Sequence, residues 1–373
     1  MPPSQTTATD QSREARSTLA DDLHAVYRFV INGLGNPTEL WTASAPSLSE
    51  LTFGLVGYSF NPQRDIGDLS GKVILVTGGN TGLGKETVLQ LAKHNPARIY
   101  LAARTEHKAL DAIKSIQDEL STSSSPTVDI QYIPLDLASF ASIKAAAEHF
   151  TRNNSRLDIL VLNAGVMAEP AVTTPDGYEV QFGTNHVGHF LLTKLLLPTL
   201  LKTTTSQPDA DVRIVAVSSA ANSIAPANHG LIEAMTSTEK LLALSTWQRY
   251  GISKAANILF ASELARRYPA IKSVAIHPGI VSTQLYDGTR KTNQNAKYGL
   301  SVAMAVAFRS AKSGALNQLW AVAGARRDEL VNGGYYTPIG VRIVRNRFLE
   351  DEELAKNLWD WTDSDISKKF GAL

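Results

Sequence analysis

From Gly71 onward, short runs of apolar and β-branched residues alternate with stretches of helical periodicity, and this alternation restricts the fold more than any other feature of the chain. KVILVT (72–77), RIYLAA (98–103), VDIQYI (128–133), DILVLN (158–163), VRIVAV (212–217) and KSVAIH (272–277) are nearly continuous apolar runs, as strands buried on both faces must be. Helical patterns lie between them at 83–95, 106–120, 139–153, 178–203 and 250–268, each opening near Thr, Ser or Asp or at a glycine turn. Parallel neighbours need a crossover of helical length, so repeated strand–helix–strand units predict an α/β architecture. The expected fold is a doubly wound parallel sheet of about seven strands, the last at Tyr335–Thr337, in a single domain over residues 61–373. Loops are expected at 120–127 and 203–211, and no internal repeat or linker divides the chain.

Composition narrows the chemistry. The chain has no cysteine, which removes disulfide scaffolds, thiolate metal sites, iron–sulfur clusters and cysteine nucleophiles together. Function must rest on oxygen, nitrogen or a bound cofactor, and the lack of cysteine fits a reducing, cytoplasmic setting. With 36 Lys+Arg against 35 Asp+Glu, the net charge of +1 gives no global attraction to nucleic acid or anionic membrane. No apolar run is long enough for a transmembrane span. The polar start, with its acids, resembles neither a secretion signal nor a transit peptide, so the mature chain is expected to begin here.

Residues 1–60 form an N-terminal extension. In it, Leu19, Leu23, Val26, Phe29, Val30 and Leu34 recur at helical spacing, with Gly33 and Pro37 as stop signals. The primary reading is a helix packed on its own domain; the alternatives are peripheral membrane contact through residues 19–34 or a homodimer contact. Two further segments break the alternation, 220–249 and 285–330. Both leave the carboxyl ends of strands, where open α/β sheets bind ligands, so they are expected to wall the substrate site, with 285–330 as a lid.

Thr77-Gly78-Gly79-Asn80-Thr81-Gly82-Leu83-Gly84 follows the first strand directly and opens a helix. In that position small residues permit a tight turn and close backbone approach, and the helix N-terminus offers N–H groups to a pyrophosphate. Gly78, Asn80, Thr81, Gly82, Leu83 and Gly84 are therefore candidate dinucleotide-binding residues. About 20 residues further on, where an acid ordinarily holds the ribose hydroxyls of NAD, stands Arg104. A guanidinium there can pair with a 2′-phosphate, so NADP(H) is favoured over NAD(H). Asp136 and Leu137 end the third strand, with Asp136 placed to accept from an adenine amine. Asn163, Ala164 and Gly165 end the fourth, where small residues let the chain run beside a ribose.

Tyr250 and Lys254 lie four residues apart in a helical stretch, so both side chains share a face. A tyrosine hydroxyl with its ordinary pKa of about 10 is a poor acid–base group at neutral pH, and a neighbouring ammonium favours the phenolate. His94, His186 and His189 have no acidic partner at metal spacing and read as packing histidines, so no metal is expected.

Taken together and in order, these motifs from about Leu69 to Ala372 resemble the short-chain dehydrogenase/reductase family. TGGNTGLG matches its glycine loop, NAG (163–165) its strand-end motif and YGISK (250–254) its Tyr-x-x-x-Lys pair. The wording of NHVGHFLLT (185–193) and the interval of 31 positions from Ser219 to Tyr250 point to the retinol-dehydrogenase-like and WW-domain-oxidoreductase-like branch. The resemblance implies a Rossmann-type sheet and a catalytic set of Ser219, Tyr250, Lys254 and Asn185, with Ser219 preferred over Ser218. It also implies that Pro278, Gly279, Val281 and Thr283 contact the nicotinamide end of the cofactor. Its activity would be the interconversion of a carbonyl and an alcohol on a small apolar substrate, such as a lipid-, retinoid-, steroid- or polyketide-like molecule. The alternative is a nucleotide sensor or interaction protein on the same fold, for which all four catalytic residues would have no physical use.

Overall fold

The computed structural model describes residues 60–122, 127–207, 210–226, 229–279, 310–344, 346, 348–349 and 351–370. The amphipathic stretch 19–34, Val281, Thr283 and the lid residues 285–309 therefore lie outside the described residues.

One sheet organises the chain. Strands β1 (Val73–Thr77), β2 (Arg98–Ala103), β3 (Ile130–Pro134), β4 (Ile159–Leu162), β5 (Arg213–Val217), β6 (Lys272–Ile276), β7 (Tyr335–Thr337) and β8 (Val341–Ile343) are ordered β3-β2-β1-β4-β5-β6-β7-β8. All neighbours are parallel except β7 and β8. The expectation of about seven strands thus misses β8, which returns antiparallel as the edge after a three-residue turn. It carries only three residues, too short for a periodic signal.

Alternate residues of the central strands feed opposite cores. Val73 and Leu75 of β1 join one apolar cluster while Ile74 and Val76 join the other. The first cluster includes residues of α4 (Phe140–Asn153), α6 (Gly188–Thr204), α9 (Thr246–Arg267) and α11 (Glu352–Phe370). The second is covered by α2 (Gly82–Ala92), α3 (Glu106–Thr122) and α10 (Ala311–Leu319). A short α1 (Pro62–Asp65) precedes β1, α5 (Val180–Phe182) precedes α6, and α7 (His229–Met235) and α8 (Thr238–Leu242) lie between β5 and α9. Among the described residues no helix is long and apolar enough to cross a membrane.

Three departures from the sequence reading shape the site. The helix expected over 178–203 is interrupted by a π-turn at Gly183–Val187, which contains Asn185. The helix expected from residue 250 begins a turn earlier, at Thr246, because Ser245 and Gln248 form a reciprocal capping box. Within the segment read as a lid, the described residues 310–330 are packed into the second core through Ala315, Leu319, Trp320, Ala321, Val322, Ala325 and Leu330. Their Ala- and Leu-rich composition serves burial against α2 and the sheet.

Candidate active site

Strand order reverses direction between β1 and β4, and the chain leaves these two strands on opposite sides. The crevice so formed beyond the carboxyl ends of the strands is where such sheets bind ligands. Here it is a cleft of about 590 Å3 lined by the glycine loop, the ends of β2 to β5, the start of α9 and residues 277–279.

The loop after β1 is built for close approach. Gly78 and Gly82 have φ of +65° and +52°, the left-handed region that glycine enters without steric cost. A Cβ on Gly84 would run into the Gly78 carbonyl oxygen and come within 2.6 Å of Asn163 Nδ2. That leaves the N-terminus of α2 open towards the cleft, with Asn80, Thr81, Gly82 and Leu83 along its wall. The glycines pack the loop tightly on the NAG turn and on α2, and a tight loop at a helix N-terminus on the cleft wall fits a pyrophosphate held by N–H groups.

Thr77 ties this loop to β4. Its fully buried hydroxyl oxygen accepts from the backbone N–H groups of Asn163 and Ala164, both at 3.0 Å, and lies 2.9 Å from His189 Nε2. Asn163 Nδ2 donates to Thr77 O at 2.8 Å, so the NAG turn and the glycine loop are clamped to each other. His189 completes the link, its Nδ1 lying 3.0 Å from the Asn185 carbonyl oxygen. Burial holds the His189 pKa down to about 4 and that of His186 to about 3, so both rings are neutral. Among the described residues no group of acids and histidines is placed to hold a metal ion.

At the end of the cleft beside β2, Arg104 is exposed where the chain leaves that strand, and Lys108, in the first turn of α3, lines the same cleft wall. No carboxylate among the described residues pairs with either. Lys108 was not singled out from the sequence, although its i+4 spacing from Arg104 at a helix start is a usable signal. Asp136 and Leu137 also line the cleft; Asp136 Oδ1 accepts from Ala138 N at 3.0 Å, which fixes the carboxylate at the strand end.

The reacting end is assembled by α9. Ser218 and Ser219 differ sharply in placement. Ser218 is buried and donates to the Lys254 carbonyl at 2.8 Å, whereas Ser219 caps the 3-10 turn Ala220–Ile224 and is only partly buried. Lys254 is 4% exposed and donates to Val217 O at 3.0 Å, and its desolvation brings its pKa down to about 8. Its Nζ lies 5.7 Å from the centre of the Tyr250 ring. At neutral pH the amine is still cationic, close enough to favour the phenolate. Gly251 lets this arrangement close: a Cβ there would sit 2.6 Å from Ala221 O, so α9 touches the Ser219 turn beside Tyr250.

Asn185 spends its side chain on the backbone. Oδ1 accepts from Val166 N at 2.8 Å, while Nδ2 donates to Val166 O and to Ser253 Oγ, both at 2.9 Å. Ser253 in turn donates to the Tyr250 carbonyl at 2.8 Å. The π-turn thus joins the chain after β4 to α9, a use that the sequence pattern did not reveal. Beyond Tyr250 the cleft is apolar: Met167, Ala168 and Tyr250 form a small buried cluster against Ala221 and Trp247. Pro278 and Gly279 line the cleft as expected positions, with Gly279 at φ +91°.

A family model described as short chain dehydrogenase matches residues 72–229. A short-chain dehydrogenase/reductase named drtF from Aspergillus calidoustus is 37% identical over 309 residues, covering 81% of this chain and 95% of that protein. Retinol dehydrogenase 12 of Mus musculus is 35% identical over 294 residues, 78% of this chain and 85% of that protein. Among solved structures, the RhlG/NADP active-site complex of Pseudomonas aeruginosa superposes with a TM-score of 0.54 at 22% identity, over 73% of this chain and 96% of that one.

Proposed function

We propose that this chain, which belongs to the short-chain dehydrogenase/reductase family, is an NADP(H)-dependent oxidoreductase that interconverts a carbonyl and an alcohol on a small apolar substrate. The observation that carries the reading is the convergence of Ser219, Tyr250 and Lys254 on one cleft whose other end is the glycine cradle. Arg104 and Lys108, two cations at the adenosine end, suit a 2′-phosphate, and Arg104 can pair with it bidentately.

Bound NADPH would lie along the glycine loop, Asp136 and the NAG turn, and it supplies a hydride. Ser219 donates a hydrogen bond to the carbonyl oxygen, on which negative charge grows. Tyr250 delivers the proton to that oxygen, and in the reverse direction removes it from the alcohol. Lys254, still cationic at neutral pH although burial lowers its pKa to about 8, favours the Tyr250 phenolate and holds the nicotinamide ribose. Since the Asn185 side chain is engaged with Val166 and Ser253, a proton relay through this residue would use its main-chain carbonyl. Met167, Ile224 and Trp247 give an apolar slot for the body of the substrate, with Ala168 packed behind them, consistent with a lipid-, retinoid- or polyketide-like carbonyl compound. A cytoplasmic site of action suits a chain without cysteine.

The test is nicotinamide fluorescence on titration with NADPH and then NADH, for the protein and for Arg104→Asp, followed by NADPH oxidation against a panel of apolar ketones and aldehydes. NADPH preference that collapses in Arg104→Asp, with turnover abolished in Tyr250→Phe while NADPH affinity stays within a few-fold, is the expected result. Equal binding of both nucleotides would overturn the cofactor assignment. Tight binding with no turnover of any carbonyl compound would replace the enzyme by a nucleotide sensor.

A further inference from the structure

Ala168 is a non-glycine residue in the left-handed region, with φ +58°, and it shares a small buried apolar cluster with Met167 and Tyr250. Such a conformation persists at a functional site only where surrounding contacts enforce it. Those contacts are specific. The Ala168 N–H donates to Gln181 Oε1 at 3.1 Å, and Gln181 Nε2 donates to the Thr246 carbonyl at 3.0 Å. The next carbonyl along, that of Glu169, accepts from Arg249 Nη2 at 2.8 Å and from Thr246 Oγ1 at 2.9 Å. Arg249 Nη1 donates to Leu244 O at 2.6 Å, and Arg249 Nε lies 2.9 Å from Glu179 Oε1. The Arg249 and Glu179 side chains are 5% and 0% exposed, and Glu179 Oε2 accepts from Phe182 N at 2.8 Å.

A buried ion pair gives little net stability over an apolar replacement, so its presence at this point calls for another reason. Arg249 is the residue before Tyr250, and its guanidinium welds the chain after β4, the Leu244 turn and the first turn of α9. We propose that Arg249, Glu179 and Gln181 are positioning residues that hold the left-handed corner at Ala168 against Tyr250 and so set the shape of the substrate slot. The inference rests on the oxidoreductase reading of the same cleft. None of the three residues is assigned contact with reacting atoms; they act through the Met167–Glu169 wall.

Arg249→Met alone would leave the Glu179 carboxylate buried without its counter-charge and could simply fail to fold. The decisive protein is therefore Arg249→Met with Glu179→Gln, beside Arg249→Lys and Gln181→Leu. NADPH affinity is measured by fluorescence, and kcat and KM with the best ketone of the panel. The double variant should raise KM at least ten-fold, with NADPH affinity within two-fold. Arg249→Lys, which keeps the charge, should recover part of the loss. Adding Ala168→Gly to the double variant, which makes the left-handed corner intrinsically easy, should recover at least three-fold in KM. An unchanged KM in the double variant, or a loss matched by equal loss of NADPH affinity, would overturn the proposal. Should the parent protein turn over no carbonyl compound, the oxidoreductase reading fails separately. The corner is then judged by acrylamide quenching of Trp247, taken as the difference from Trp247→Phe counterparts: quenching should at least double in the double variant, and no change overturns the positioning role.

Discussion

Replacing Thr77 by valine keeps the branched shape of the side chain and removes the oxygen on which the end of β4 hangs. Thr77 is fully buried, and its Oγ1 accepts from Asn163 N and Ala164 N and meets His189 Nε2. Valine leaves two N–H groups and an imidazole nitrogen without that partner, and each such buried group costs about 1–3 kcal/mol. The turn at 163–164 is only partly buried, so cleft water can satisfy some of the loss. The expected destabilisation is about 3–5 kcal/mol. Thr77→Ser keeps the oxygen and loses one methyl group, for about 1 kcal/mol. Urea unfolding at fixed protein concentration, followed by tryptophan fluorescence and extrapolated linearly, separates the two variants. Because Asn163, Ala164 and Gly165 line the cleft, Thr77→Val should also weaken NADPH binding by at least ten-fold, equivalent to about 1.4 kcal/mol. A valine variant as stable as the serine variant, with unaltered NADPH affinity, would refute the idea that Thr77 is the hinge pin between the two loops.

His186 and His189 are buried with pKa values lowered to about 3 and about 4, so below pH 6.5 the unfolded chain takes up protons that the native protein refuses. Stability should fall as pH drops from about 6.5 towards 4, by up to about 1.4 kcal/mol per pH unit for each ring, and His189→Gln should show a measurably shallower slope in urea midpoints between pH 6 and 5. Gly84→Ala should abolish detectable NADPH binding, since its methyl group meets the Gly78 backbone carbonyl and the Asn163 amide that is held by Thr77 O; a fluorescence titration within three-fold of the parent would contradict this. Ser219→Ala should lower kcat at least 100-fold, a loss far larger than the roughly 0.5–1 kcal/mol of stability that its lost cap on Ala221 N accounts for. Ser218→Ala should cost about 1 kcal/mol in urea through its lost bond to Lys254 O while retaining most of kcat.

Much of this protein is written in local pattern. Apolar runs buried on both faces mark β1, β2, β4, β5 and β6, because a strand in the middle of a parallel sheet has no polar side to show, whereas β3 at the sheet edge keeps Gln131 and Tyr132 only partly buried. The glycine loop and Tyr-x-x-x-Lys are equally legible, since a tight turn and a shared helix face are set by spacing alone. The tertiary structure decided the rest. The different placement of Ser218, buried on the Lys254 carbonyl, and Ser219, capping the Ala220–Ile224 turn, depends on the contact of α9 with that turn, which Gly251 permits. The π-turn at Asn185 follows from amide bonds to Val166, 19 positions away, and burial of 311–324 from packing on α2 and the sheet. The corner at Ala168 is held from Arg249 through Glu169 O, a bond spanning 80 positions. Periodicity reports only what neighbours along the chain do, whereas each of these features is fixed by a hydrogen bond or a close approach between segments that meet only once the sheet has formed.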